Sequence, residues 1–203
     1  MELHPQVARA AAEMKKISGA VRSDQLERVT PCREYDVRAL VNHLMFWAPV
    51  LARAGRKQPV LSGRDEDAQD VTHGDWQTSY AAQLDDLVAA WGEAGAWEGM
   101  TRMTGPDFPA SFAGAMTVVE LVVHCWDLAV ATCQDFHCDE DVAAVGYQAI
   151  SQMAEQGRAM GAFGNEVSVP NSASPLDRVL GVSGRDPNWI TAAPSARQPS
   201  MDK

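Results

Sequence analysis

No run of about 20 continuous apolar residues occurs in the 203-residue chain, so no segment is expected to cross a bilayer. The opening Met1-Glu2-Leu3-His4-Pro5 lacks a basic stretch leading into an apolar one, which argues against a secretory signal. Cys32, Cys125, Cys133 and Cys138 include no pair at Cys-x-x-Cys spacing, so a thiolate zinc knuckle is not expected. A chain this long can bury a core without disulfide staples, and the expected protein is reduced and cytoplasmic. Basic residues are scarce: 17 Lys and Arg against 27 Asp and Glu give a net charge of −10. That balance disfavours a non-specific nucleic-acid binder and docking on an anionic membrane. Also missing are a Gly-x-Gly-x-x-Gly turn, a phosphate-binding P-loop, a Gly-x-Ser-x-Gly elbow and a His-Glu-x-x-His helix. Internal repeats and low-complexity blocks are absent as well.

What remains is ordinary globular material, 46% hydrophobic and 22% charged, with helical periodicity through most of its length. Val7, Ala10, Ala11, Met14 and Ile17 predict a first helix from about Pro5 to Ala20. Thr30–Tyr35 reads as a loop, because Pro31 pushes Thr30 out of the helical region. Asp36 is a natural N-cap for a second helix, whose stripe is Val37, Leu40, Val41, Leu44, Ala48 and Leu51. Pro49 should kink or end it. Residues 55–74, with the acidic Asp65-Glu66-Asp67, read as a loop. A third helix starts near Asp75 and carries Trp76, Tyr80, Leu84, Leu87 and Trp91 on one face. The stretch from Gly92 to Ala115 reads as a long connection with room for a short hairpin. The fourth helix is predicted from Thr117 to about Thr132, a fifth from Asp139 to Met160, and a short one around Leu176–Leu180. The expected fold class is all-α: a four-helix bundle with long connections and extra C-terminal helical segments. One bundle over 1–191 and a flexible tail over 192–203 is the expected organisation.

The fourth helix carries the chemistry. Between Thr117 and Ala131 nearly every residue is apolar, which marks a buried helix. Glu120, His124 and Asp127 interrupt it at i, i+4 and i+7, so they share one face. A buried carboxylate is expensive unless something pairs with it. Glu-x-x-x-His presents an oxygen and a nitrogen to one point, half of a metal site. His43, among apolar neighbours on the second helix, would supply a third ligand if helices two and four pack together. Three protein ligands leave a coordination position open, as in catalytic rather than structural zinc sites. Asp127 is either a fourth ligand or an acceptor orienting an imidazole. Blander readings stand beside these: Thr117-x-x-Glu120 also fits a capping box, and each histidine could be a satisfied core residue. His4, His73 and His137 are placed at the terminus or in polar loops. Cys125 reads as a small apolar filler, and the tryptophans as core.

These residues also carry a resemblance. Thr30-Pro-Cys-Arg-Glu-Tyr-Asp-Val-Arg-Ala-Leu-Val-Asn-His43-Leu44 and Glu120-Leu-Val-Val-His124-Cys-Trp-Asp127-Leu-Ala-Val-Ala-Thr132 resemble two signatures of the mycothiol-dependent maleylpyruvate isomerase N-terminal family, within the DinB/YfiT-like metal-binding superfamily. Phe163–Pro170 and Asp177-Arg178 through Trp189 are similar to an actinobacterial subgroup of it. Tyr35 stands where the family commonly has Trp, and Cys133 where Gly is usual. The resemblance implies a DinB-like four-helix bundle holding a divalent metal, usually zinc, through His43, Glu120 and His124. It implies a low-molecular-weight thiol, mycothiol, as cosubstrate, with isomerisation or S-transfer on a small electrophile. Nickel or iron would suit the same ligands. It also implies a further C-terminal domain in the isomerase itself, which this chain is expected to lack. The competing readings are a non-enzymatic metal-binding or stress-response protein of the same fold, and a helical interaction module without metal. The expected partners are the thiol and its small substrate, with neither nucleic acid nor membrane; a homodimer is compatible with the sequence.

Overall fold

The computed structural model describes residues 3–59, 70–159 and 161–191. The architecture is all-α, as expected. The helices are α1 (His4–Gly19), α2 (Val37–Gly55), α3 (Trp76–Trp91), α4 (Ala110–Thr132), α5 (Glu140–Ala159) and α6 (Pro175–Ser183). A two-stranded antiparallel hairpin, β1 (Met100–Thr101) and β2 (Phe108–Pro109), pairs Met100 with Pro109 and Thr101 with Phe108. Helices α1 and α2 do not lie side by side; each packs on both α3 and α4, so the four close into a bundle. Helix α5 lies outside against α4, and α6 packs chiefly on α5. The stripes read from the sequence fill the middle: Val7, Met14, Ile17, Leu40, Leu84, Leu87, Trp91 and Leu128 are all fully buried. The acidic patch at 65–67 and the tail at 192–203 lie outside the described residues.

Several ends follow local chemistry. Asp36 caps α2 by accepting from the Ala39 amide at 2.8 Å, and Asp75 accepts from Thr78 N at 3.3 Å to cap α3. Pro49 does not end α2, which runs on to Gly55. The hairpin braces its far end: Thr101 Oγ1 donates to the carbonyl of Ala54 at 2.6 Å. Helix α4 ends with Cys133 in the left-handed region, φ 58°, where glycine would be at ease. Side chains from the α1–α2 connection hold that end: Gln25 Nε2 donates to Thr132 O at 2.9 Å and Arg28 Nη1 to Ala131 O at 3.3 Å.

One expectation needs correction. Helix α4 starts at Ala110, seven residues before Thr117. Gly114 makes that stretch look like a connection, yet the glycine is there for packing. A Cβ at this position would meet Trp97 Cζ3 at 2.1 Å. Tertiary contact with the Trp97 ring overrides the weak local propensity. Gly114→Ala is therefore expected to destabilise the protein by about 1–3 kcal/mol through overpacking, against the helix-propensity gain of about 1 kcal/mol. Urea unfolding checks this; a variant as stable as the parent, or more so, overturns it.

A second point concerns the composition of α4. By length and mean hydropathy α4 could span a bilayer, although Glu120, His124 and Asp127 interrupt its apolar run. The bundle itself accounts for that composition: 78% of the most apolar stretch is buried inside the protein. An all-round apolar helix at the centre of a bundle needs no lipid.

Candidate metal centre

Helix α4 delivers Glu120 and His124 to its face toward α2, where His43 sits. Glu120 Oε2 lies 3.5 Å from His43 Nε2 and 3.4 Å from His124 Nε2. One donor atom from each of the three residues falls within 4.8 Å of the others, the one such grouping of His, Cys, Asp or Glu among the described residues. The imidazoles are deep, with side chains 13% and 10% exposed, while the Glu120 side chain at 30% reaches toward solvent. The two roomier hollows, one by Arg9 and Cys138 and one by Tyr147 and Arg178, gather no comparable set.

Each imidazole is held from behind. His124 Nδ1 is 3.0 Å from Asp127 Oδ2, and the Tyr35 hydroxyl is 3.1 Å from His43 Nδ1. Tyr35 is fixed by the turn before α2, where Thr30 Oγ1 donates to Tyr35 O at 2.7 Å and Tyr35 N donates to Cys32 O at 3.1 Å. Asp127 is fully buried and meets Arg185, itself 6% exposed. Arg185 Nη2 donates to Oδ2 at 3.0 Å and Nε to Oδ1 at 3.3 Å. Both Asp127 oxygens are thus engaged, on the side of His124 away from Glu120.

The electrostatics favour a cation at the junction. A carboxylate oxygen accepts, so the 3.0 Å contact with Asp127 Oδ2 favours the neutral tautomer of His124 with its proton on Nδ1. His124 Nε2 is then a lone pair facing Glu120 Oε2, another acceptor. Two acceptors in contact inside a bundle are tolerable only with a proton or a metal ion between them. Burial pushes the Glu120 carboxyl up. The hydrogen bond with His43 and the electrostatic influence of His124, His43 and Arg185 outweigh that effect and bring it down to about 2. At neutral pH Glu120 is an anion available to a metal. The donor set fits a divalent ion.

The capping reading of Glu120 is overturned. Thr117 lies inside α4, and its Oγ1 donates to Ala113 O at 2.9 Å. Trp76, Trp91, Trp97 and Trp126 are buried, and Cys125 is an apolar filler at 1% exposure. The four cysteines are free. Sequence reasoning missed Tyr35 and Arg185 as neighbours of the site. The signal for Arg185 was available: a buried Asp on an apolar helix demands a cation.

The family model for the mycothiol maleylpyruvate isomerase N-terminal domain matches residues 7–129. The chain belongs to this family. Its matched segment carries His43, Glu120 and His124, so the donors lie in the part this isomerase-type family defines. Among relatives, two uncharacterised proteins from two strains of Mycobacterium tuberculosis are each 25% identical over 167 residues, covering 81% of this chain and 87% of theirs. A crystal structure of the mycothiol-dependent maleylpyruvate isomerase superposes with a TM-score of 0.62 at 16% identity, over 94% of this chain and 92% of that one. The shared fold therefore extends past the N-terminal family segment.

Proposed function

We propose that His43, Glu120 and His124 hold one divalent metal, zinc first among the candidates, and that the protein is an enzyme using a low-molecular-weight thiol of the mycothiol type. The reaction class is isomerisation or S-transfer on a small electrophile. The observation that carries this reading is the convergence of His43, Glu120 and His124, with donor atoms within 4.8 Å of one another, on two apolar helices. Bound there, a divalent cation supplies Lewis acidity that lets a coordinated thiol lose its proton near neutral pH.

The chain's own residues have distinct tasks. Asp127 and Tyr35 engage the Nδ1 atoms, which turns the Nε2 atoms of His124 and His43 toward Glu120. With both its oxygens occupied by Arg185 and His124, Asp127 orients rather than ligates. That leaves coordination positions open, which favours an enzyme over a storage protein. Leu44, Trp47, Ala48, Leu51, Tyr80 and Leu121 wall a small cavity beside His43 and Glu120, so the centre is flanked by apolar side chains there. A low local dielectric strengthens each charge interaction there. Substrate approach is expected from the Glu120 side, the more exposed of the three donors.

Calorimetry with mycothiol tests the thiol half. Titration into zinc-loaded protein should give saturable heat below about 1 mM, within the usual range of substrate affinities, and S-methylated mycothiol should bind more weakly. The absence of heat at millimolar mycothiol overturns the thiol reading.

A further inference from the structure

We infer that Arg185 is a positioning residue for this centre, and that docking of α6 and metal binding reinforce one another through the chain Arg185–Asp127–His124. The inference rests on the metal reading above. Arg185 hydrogen-bonds none of the three donors; its charge is felt at Glu120 through space, while its hydrogen bonds reach the centre through Asp127.

The local backbone aims it inward. Helix α6 is capped just past its end by Gly184, which adopts φ +86°, and Arg185 N donates back to Leu180 O at 2.8 Å. A Cβ at Gly184 would lie 2.7 Å from Gly164 Cα, so the turn is shaped by a close backbone approach as well as by its left-handed dihedral. The guanidinium is then spent entirely on the interior. Nη1 donates to Ser183 O at 3.0 Å, and Nε and Nη2 form a fork on Asp127. Asp127 Oδ2 is shared between Arg185 Nη2 and His124 Nδ1, each at 3.0 Å. Elsewhere α6 leans mainly on α5, so this fork is the buried polar tie between the C-terminal segment and the metal-bearing helix. If α6 lifts away, Asp127 loses its counter-ion and His124 loses a fixed acceptor. By linkage, whatever factor undocking takes from metal affinity, metal binding returns to docking.

The test has two arms. Hydrogen exchange of the unmodified chain, with and without zinc, reads the amides of residues 176–185 against those of α1. Zinc affinity of the parent, Arg185→Lys and Arg185→Met is read by competition with a chromophoric chelator, and the cobalt(II) absorption spectrum reports ligand geometry. Zinc should slow α6 exchange by about 10- to 100-fold beyond any change in α1, and Arg185→Met should weaken zinc by a similar factor, the size typical for groups that orient a ligand. Arg185→Lys should fall between, because an ammonium keeps the charge and loses the fork. The cobalt spectrum of both variants should shift. The exchange arm decides the matter even if Arg185→Met does not fold. Zinc binding with unchanged α6 exchange, or lower stability of Arg185→Lys with parental zinc affinity and cobalt spectrum, overturns the coupling and leaves the metal reading standing. A parent chain that binds no zinc overturns both.

Discussion

His124→Ala is expected to lose the metal proposed for this centre. The parent chain, purified and dialysed against buffer, is expected to hold close to one divalent ion, while His124→Ala under the same treatment holds less than about a tenth of that. The magnitude follows from ligand count. Removing a group that merely orients a ligand lowers affinity by about 10- to 100-fold, and removing one of three protein ligands must do more. Glu120→Gln should behave similarly, because the carboxylate brings the negative charge that the two imidazoles lack. His73→Ala and His137→Ala are the controls: their side chains are 81% and 77% exposed, and both should keep the metal. Elemental analysis of the five proteins decides it. Equal metal in His124→Ala and the parent would end the assignment of the centre.

The second large effect is on stability. Asp127→Leu is expected to destabilise the metal-free protein by about 3–5 kcal/mol, since it strands the Arg185 guanidinium in the interior. For a domain of this size that corresponds to a drop in melting temperature of roughly 6–20 °C. The pair itself need not be worth so much. Two charges taken out of water give back in attraction about what they lose in hydration, and an apolar pair of similar volume can serve as well. Asp127→Leu combined with Arg185→Met should therefore recover most of the loss. Thermal unfolding in chelator measures both proteins. If Asp127→Leu melts within about 2 °C of the parent, the ion pair is not the buried latch described above.

Both results turn on α4, where sequence and structure can be compared residue by residue. The i, i+4, i+7 placement of Glu120, His124 and Asp127 was legible because helical geometry is local: once the helix forms, those side chains share a face. His43 was legible as a donor on an apolar stripe, though its meeting with Glu120 depended on α2 packing against α4. The start of α4 was not legible. Gly114 reads as a break until Trp97 lies over it, and that ring arrives from the preceding connection. Arg185 was visible in the sequence as part of a C-terminal motif, but nothing local ties it to Asp127, 58 residues earlier.

The order of amino acids alone thus determined most helices, their buried faces and the two helices that carry His43 and the Glu120–His124 pair, because hydrophobic periodicity and capping act within a few turns of chain. Tertiary structure decided which polar groups would face each other: Glu120 against two imidazoles, Asp127 against Arg185, Tyr35 behind His43. Those pairings come from side chains distant in sequence meeting inside a low-dielectric interior, where each buried charge has to find its partner through the fold.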